Sequence, residues 1–173
     1  IPVYDKELIK KAAQDSGFSA EFFEESDEKK RFLSLSAIFS NRFSETENYM
    51  SDRGIFKMQS QTIMKIAEQG SAIIVGRCSD YILRDMECTL DVFLTSPLEV
   101  RAARIAERTG MSIEEASSLA EEKDRKRAEY YNYYTFTVWG VASTYDLCLD
   151  SSILGIEGTA DFIIEFARKA GKI

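Results

Sequence analysis

Short apolar segments that alternate with helical patterns constrain the fold of this chain more than any other feature. Three of them, residues 72–75, 90–95 and 147–149, have the composition of buried strands. Short buried strands separated by helices pair in parallel through right-handed crossovers. The sequence therefore predicts a single α/β domain over residues 1–173, with three α/β/α layers around a parallel sheet.

The clearest element boundary follows the second of these strands. Ser96 can cap a helix, Pro97 suits its first position and Glu99 can close a capping box. Gly110 is the expected end, because glycine adopts the left-handed conformation that terminates many helices. We therefore predict a helix between this box and Gly110.

A second capping box, formed by Ser112 and Glu115, predicts a long helix that runs toward Tyr131. The polar, irregular stretch 40–54 is predicted to be a mobile loop. The other helical patterns cover residues 6–17, a piece that begins at Ser19, and residues 55–69 and 160–170.

An arginine stands where the first predicted strand ends. Gly76 and Arg77 follow it directly, and a guanidinium group beside an apolar strand needs an anion to offset the loss of solvation. Ligands of parallel α/β sheets sit beyond the carboxyl ends of the strands, where Asp5 also falls. Arg77 is therefore a candidate anion-binding residue, and Asp5 is either a neighbouring site residue or a simple helix cap.

Three further arginines lie on one face of the helix that follows Pro97. Arg101, Arg104 and Arg108 are spaced by three and four residues, so their side chains share that face. A basic stripe of this kind, taken alone, is more often solvated surface than a ligand site.

The long helix after Ser112 adds evidence for a ligand site over solvated surface. Its inward apolar face continues into Lys123, Asp124 and Arg127. Such a helix either runs past the edge of the domain into water or leans over a bound anion. Together with the other arginines, anion binding is the better explanation, since guanidinium groups suit phosphate oxygens.

Composition argues against several classes of function. The net charge of −7 argues against nucleic-acid and membrane-surface binding, which depend on a broad basic face. The lack of histidine removes the usual zinc sites and the Ser-His-Asp and Cys-His nucleophiles, and we assign no metal ligands. Three cysteines without a C-x-x-C pair, and no apolar run that could span a bilayer, favour a cytoplasmic protein.

Aromatic residues crowd residues 130–139, the stretch that completes the long helix. Most of these rings are expected to pack in the core or at a subunit contact, with Trp139 at a buried corner. A homodimer formed through this segment is therefore a further expectation. Cys78 and Cys148 have the pattern of small buried hydrophobic residues.

The segments "IIVGRCSDYIL", "LDVFLTSPLEVRAARI", "DRKRAEYYNYYTFTVWG" and "YDLCLDSS" follow one another in this order. Together they resemble the cytidylate kinase-like family, a branch of the P-loop nucleoside-monophosphate kinases. The opening "IPVYDKELI" is similar to that family's segment just after its first helix. Residues 110–140 would then form the helical lid and an aromatic segment.

The resemblance implies transfer of a phosphoryl group from ATP to a nucleoside monophosphate, with Mg²⁺ carried mainly by the nucleotide. It implies four residues that bind the substrate: Arg77, Asp5, Lys11 and Arg101. It also implies three catalytic residues in the basic helix and the lid: Arg104, Asp124 and Arg127. Arginines in such sites stabilise charge spread over the transferring phosphoryl group. The nature of the acceptor stays open.

One feature of the family is missing from the 173 residues. Its members carry a glycine-rich loop whose N–H groups cradle the ATP phosphates, and no G-x-x-x-x-G-K-[ST] pattern occurs here. Because Ile1 begins where the segment after that loop would lie, we expect the loop upstream, and the 173 residues alone to be inactive. The alternative is a non-catalytic module that keeps these basic residues to sense a nucleotide or to bind a protein.

Overall fold

A computed structural model describes residues 1–5, 7–8, 11 and 52–173. The chain divides into two compact units, Ile1–Leu83 and Arg84–Ile173. Each unit combines helices with a two-stranded parallel sheet, so the predicted mixed α/β class is confirmed. No helix within the described ranges is long and apolar enough to cross a membrane.

The first unit is built on strands β1 (Val3–Tyr4) and β2 (Ile73–Ile74), which pair in parallel. Helix α1 (Asp52–Gln69) leads into β2, and the short helix α2 (Ser79–Ile82) follows it. Helix α1 confirms the helical pattern predicted over residues 55–69. Three of its side chains are fully or almost fully buried: Gln59, Ile63 and Ile66.

Two predictions for the first unit need correction. Helix α1 begins at Asp52, so residues 52–54 of the predicted loop 40–54 are helical, and the rest of that stretch lies outside the described residues. Ile73 and Val75 are half-exposed, although the strand was expected to be buried. The reason is that β2 has one partner strand in the described part of the chain, which leaves part of its surface uncovered.

The predicted helix at 6–17 is described at three positions only, Glu7, Leu8 and Lys11, all of which are helical. Leu8 is fully buried. The helical piece predicted from Ser19 lies outside the described residues.

The second unit contains all the remaining elements. Strands β3 (Val92–Thr95) and β4 (Leu147–Asp150) pair in parallel over four residues, from Val92 with Leu147 to Thr95 with Asp150. Helices α3 (Leu98–Thr109) and α4 (Ile113–Thr135) follow β3 and precede β4 in the sequence. The two helices pack on each other. A 3₁₀ turn (Ala142–Thr144) precedes β4, and helix α5 (Gly155–Lys169) closes the chain.

The second predicted capping box is confirmed and the first is wrong. The Ser112 hydroxyl accepts from the Glu115 N–H, and the Glu115 carboxylate accepts from the Ser112 N–H. At α3, however, Pro97 is the N-cap, with no side-chain hydrogen bond. Glu99 is therefore the second helical residue, not the third, and cannot close a box. Gly110 ends α3 at φ 75°, as predicted.

Two predictions about side chains in the second unit need correction. Trp139 packs edge-on against Phe93, with ring centroids 5.3 Å apart, but it is only half-buried, whereas a buried corner was expected. Cys148 is exposed, whereas Cys78 in the first unit is buried as predicted. Side chains alternate along a strand, so Cys148 points to the opposite face from its neighbours Leu147 and Leu149.

Candidate anion-binding site

The basic face of α3 begins at Arg101, about one turn into the helix. Ala102 is buried against the neighbouring elements, and α3 packs on α4. Arg101 and Arg104 lie one turn apart on the same helix and are both half-buried, whereas Arg108 is exposed. The spacing thus sets two guanidinium groups, not three, into the packed part of the unit.

Asp124 joins two of the predicted site residues. One carboxylate oxygen, Oδ2, accepts a hydrogen bond from Nη1 of Arg101, and the other, Oδ1, accepts from Nη1 of Arg127 at 3.2 Å. Arg101 lies on α3, while Asp124 and Arg127 lie one turn apart on α4. We call this group of three residues the Arg-Asp-Arg cluster.

The Arg-Asp-Arg cluster has a formal charge of +1, because one carboxylate faces two guanidinium groups. The side chains of Asp124 and Arg101 are 26% and 31% exposed, whereas Arg127 is 65% exposed. Nε of Arg101 is shielded from solvent and has no hydrogen-bond partner. The cluster is therefore a half-buried cationic patch with an exposed guanidinium group at its edge, which suits a phosphate oxygen.

Arg104 makes a different set of contacts. Its Nη1 donates to Oγ of Ser151 at 3.0 Å, and its Nη2 donates to the Ser151 carbonyl at 3.1 Å. Ser151 is itself fixed to the end of β3, because its N–H and hydroxyl both donate to the Thr95 carbonyl, at 2.9 and 3.2 Å. Arg104 thus ties α3 to the turn that follows β4.

Asp150 closes the same turn. Its Oδ1 accepts from both the hydroxyl and the N–H of Ser152, at 2.6 and 2.8 Å. The Ser152 hydroxyl, then its N–H, and to a lesser extent the charge of Arg104 hold the pKa of Asp150 below its ordinary value. Sequence reasoning missed Ser151 as a site neighbour, although a polar pair directly after a strand was the signal for it.

In the first unit, Arg77 follows β2 in an unusual conformation. Gly76, Arg77 and Cys78 have φ angles of 71°, 59° and 56°, so three successive residues are left-handed. Residues other than glycine rarely adopt this conformation, which costs roughly 1–2 kcal/mol for each one. The N–H of Ser79 donates to the Gly76 carbonyl at 3.1 Å and closes the turn. Arg77 is thereby held half-buried at the carboxyl end of β2.

Asp5 and Lys11 complete the predicted residues of the first unit. Asp5 is exposed, and its carbonyl accepts from the N–H of Leu8 at 3.2 Å. It follows β1, so it lies at the same edge of the two-stranded sheet as Arg77. The Lys11 ammonium lies 5.9 Å from the centre of the Tyr4 ring.

The structure therefore groups the predicted residues in three places. The Arg-Asp-Arg cluster joins Arg101, Asp124 and Arg127, and Arg104 is bound to Ser151 in the same unit. Asp5, Lys11 and Arg77 belong to the first unit, which is described separately.

Comparison with known proteins identifies the family. The sequence profile described as "Cytidylate kinase-like family" matches residues 1–153. The chain belongs to the cytidylate kinase-like family. The resemblance inferred from the four sequence segments is thus confirmed.

Curated relatives of this cytidylate kinase-like chain carry the name "Cytidylate kinase". One from Pyrococcus horikoshii is 33% identical over 96 residues, which cover 55% of this chain and 48% of the relative. Another, from Ignicoccus hospitalis, is 27% identical over 143 residues, which cover 77% of this chain and 81% of the relative. The chain spans about half the length of the Pyrococcus relatives that it matches.

A solved structure is also similar to this cytidylate kinase-like chain. It is an uncharacterized protein from Eubacterium ventriosum, which is 27% identical and superposes with a TM-score of 0.71. The similarity covers 98% of this chain and 84% of the other. The arrangement of helices and strands described above is therefore shared with a protein solved by crystallography.

Proposed function

We propose that this cytidylate kinase-like protein transfers the γ-phosphoryl group of ATP to a nucleoside monophosphate. The observation that carries the proposal is the Arg-Asp-Arg cluster, a half-buried patch with a net positive charge. The relatives named cytidylate kinase support the reaction class. We also propose a three-layer sandwich of the P-loop type for the complete fold.

The proposed roles follow from chemistry at each position. Arg127, which is the most exposed member of the cluster, would contact the phosphoryl group during transfer. Arg101 would bind phosphate at the base of the cluster, and Asp124 would position both guanidinium groups. Arg104 would act through Ser151 by fixing the turn after β4, which makes it a positioning residue rather than a contact to phosphate.

Acceptor binding is assigned to the first unit. The strained turn presents Arg77 at the carboxyl edge of the β1-β2 sheet, where Asp5 also lies. A guanidinium group at this edge suits the acceptor phosphate, and Lys11 would add a second positive charge.

The residues present fit an anionic nucleotide better than a metal ion held by the protein. Within the described ranges, no three or more His, Cys, Asp and Glu side chains gather as a metal site. Mg²⁺ bound to ATP would neutralise charge on the transferring phosphates, and the chain's own arginines would supply the rest. The three cysteines are free thiols, which is consistent with the reducing cytoplasm that we propose as its location.

The decisive experiment is a coupled assay of ADP production by the full-length protein. CMP, dCMP, UMP, AMP and non-nucleotide phosphorylated compounds serve as acceptors. We expect Arg127→Ala to lower kcat roughly a hundredfold, because it removes a charge that acts in the transition state. We expect Arg77→Ala to raise the acceptor KM roughly tenfold, because it removes a ground-state phosphate contact.

Arg125→Ala is the matched control, since it removes the same charge from an exposed position on α4. Wild-type rates for both Arg127→Ala and Arg77→Ala would overturn the site assignment. A protein that binds nucleotides without phosphorylating any acceptor would instead be the non-catalytic sensing module.

A further inference from the structure

Asp124 binds Arg101 and Arg127 through separate oxygens, as two oxygens of a phosphate group would. We infer that Asp124 is a built-in competitor for phosphate. An arriving phosphoryl group takes Arg127 from Asp124, whereas Arg101 stays paired with it. This inference rests on the proposed phosphate site and adds an exchange of ion-pair partners to it.

The difference in burial between the two arginines determines which one leaves. Arg127 is 65% exposed, so water and ligand reach its guanidinium group easily. Arg101 is 31% exposed, and its Nε is shielded without a hydrogen-bond partner. Removing Asp124 from Arg101 would leave a half-buried charge unpaired, which costs far more than exposing Arg127.

The positions of the residues on the helices favour the same direction of exchange. Asp124 and Arg127 are one turn apart on α4, so Arg127 can turn away through side-chain rotation alone. Arg101 lies on α3, and its bond to Asp124 joins the two packed helices. Exchange at Arg127 therefore leaves the packing of α3 on α4 intact.

The strength of the Asp124–Arg127 pair is suited to exchange. Nη1 of Arg127 and Oδ1 of Asp124 are 3.2 Å apart, near the upper limit of normal hydrogen-bond distances. Pairs this exposed contribute little to stability, and a phosphate carries more charge and more acceptor oxygens than a carboxylate. Phosphate is thus a stronger partner for Arg127 than Asp124 is, so it displaces the carboxylate.

Binding of inorganic pyrophosphate, measured by isothermal titration calorimetry, tests the inference. Asp124→Asn removes the competing charge, so we expect the Kd to fall roughly three- to tenfold. If Asp124 only held the arginines in position, the same change would weaken binding. The direction of the change therefore separates the two roles.

Glu122→Gln is the matched control, because it removes one negative charge from the same helix, where Lys126 is the partner. We expect it to change the Kd less than about twofold. In an Arg127→Gln background, Asp124→Asn should no longer tighten binding. If the Asp124→Asn variant bound pyrophosphate no more tightly than the Glu122→Gln variant, the inference would be wrong.

Side-chain NMR supplies a test that does not depend on how the variants fold. Pyrophosphate added to the wild-type protein should shift the Nε–Hε signal of Arg127 several times further than that of Arg101, which keeps its bond to Asp124. Equal shifts of both signals, or none, would overturn the exchange. The outcome is separate from the kinase assay, because a protein without transferase activity can still show the exchange, and an active kinase can lack it.

Discussion

Gly140 lies where backbone conformation and packing both restrict the side chain. Its φ is +79°, and an added Cβ would lie 3.2 Å from Cζ of Phe93. Phe93 cannot move freely, because its ring packs against Trp139 and against Tyr145, with centroids 5.3 and 5.0 Å away. The aromatic segment thus depends on glycine at this corner.

We predict that Gly140→Ala lowers the free energy of unfolding by about 2–4 kcal/mol, from backbone strain together with the contact to Phe93. Gly110→Ala is the control, since its φ is +75° and nothing lies within 4 Å of the added Cβ. It should cost only the strain, about 1–2 kcal/mol. Denaturant unfolding measures both, and equal losses would contradict the role of Phe93.

Helix α4 is the element that carries Asp124 and Arg127, and its start is fixed by the Ser112–Glu115 capping box. The N–H of Ser112, and then its hydroxyl, hold the pKa of Glu115 below its ordinary value of 4.5. A carboxyl group with a lowered pKa stabilises the folded state above its ordinary pKa. That contribution is lost as the pH falls through the lowered value.

We therefore predict that Glu115→Gln lowers the unfolding temperature at neutral pH and has little effect in acid well below pH 4.5. Thermal unfolding of the wild type and the variant across this range measures the difference. Ser112→Ala removes the other half of the box and should cost about 1 kcal/mol at neutral pH. If the difference in unfolding temperature between Glu115→Gln and the wild type stayed constant as the pH fell, the prediction would be wrong.

At the scale of the whole molecule, the Arg-Asp-Arg cluster belongs to a protein with a net charge of −7. A ligand with few charges can bind the cluster locally, but a long polyanion also meets the surrounding negative field. Tight binding of duplex DNA needs several phosphate contacts spread over a basic face.

We predict that a DNA duplex of about 20 base pairs does not bind at physiological salt, at concentrations where ATP does. Fluorescence anisotropy of labelled DNA and of a labelled ATP analogue measures the two affinities. Comparable affinities for DNA and ATP would show that the charge argument is wrong.

The homodimer expected through the aromatic segment, residues 130–139, also stays a prediction. In that segment Phe136 is 89% exposed.

The sequence by itself determined the family, the mixed α/β class and most element boundaries of the second unit. Gly110 and the Ser112–Glu115 box mark the turn between α3 and α4 because their signals act over a few residues. Helical spacing likewise placed Arg101 and Arg104 on one face. Local hydrogen bonds and steric limits encode such features directly, so a short window of sequence is sufficient.

Tertiary structure decided which groups the charges meet. Asp124 pairs with Arg101 across 23 positions of sequence, and Arg104 binds Ser151 across 47. The exposure of Cys148 and the left-handed turn at Arg77 were equally outside the reach of local patterns. These features depend on how helices and strands pack, because only packing brings distant residues together and decides which side of a strand is covered.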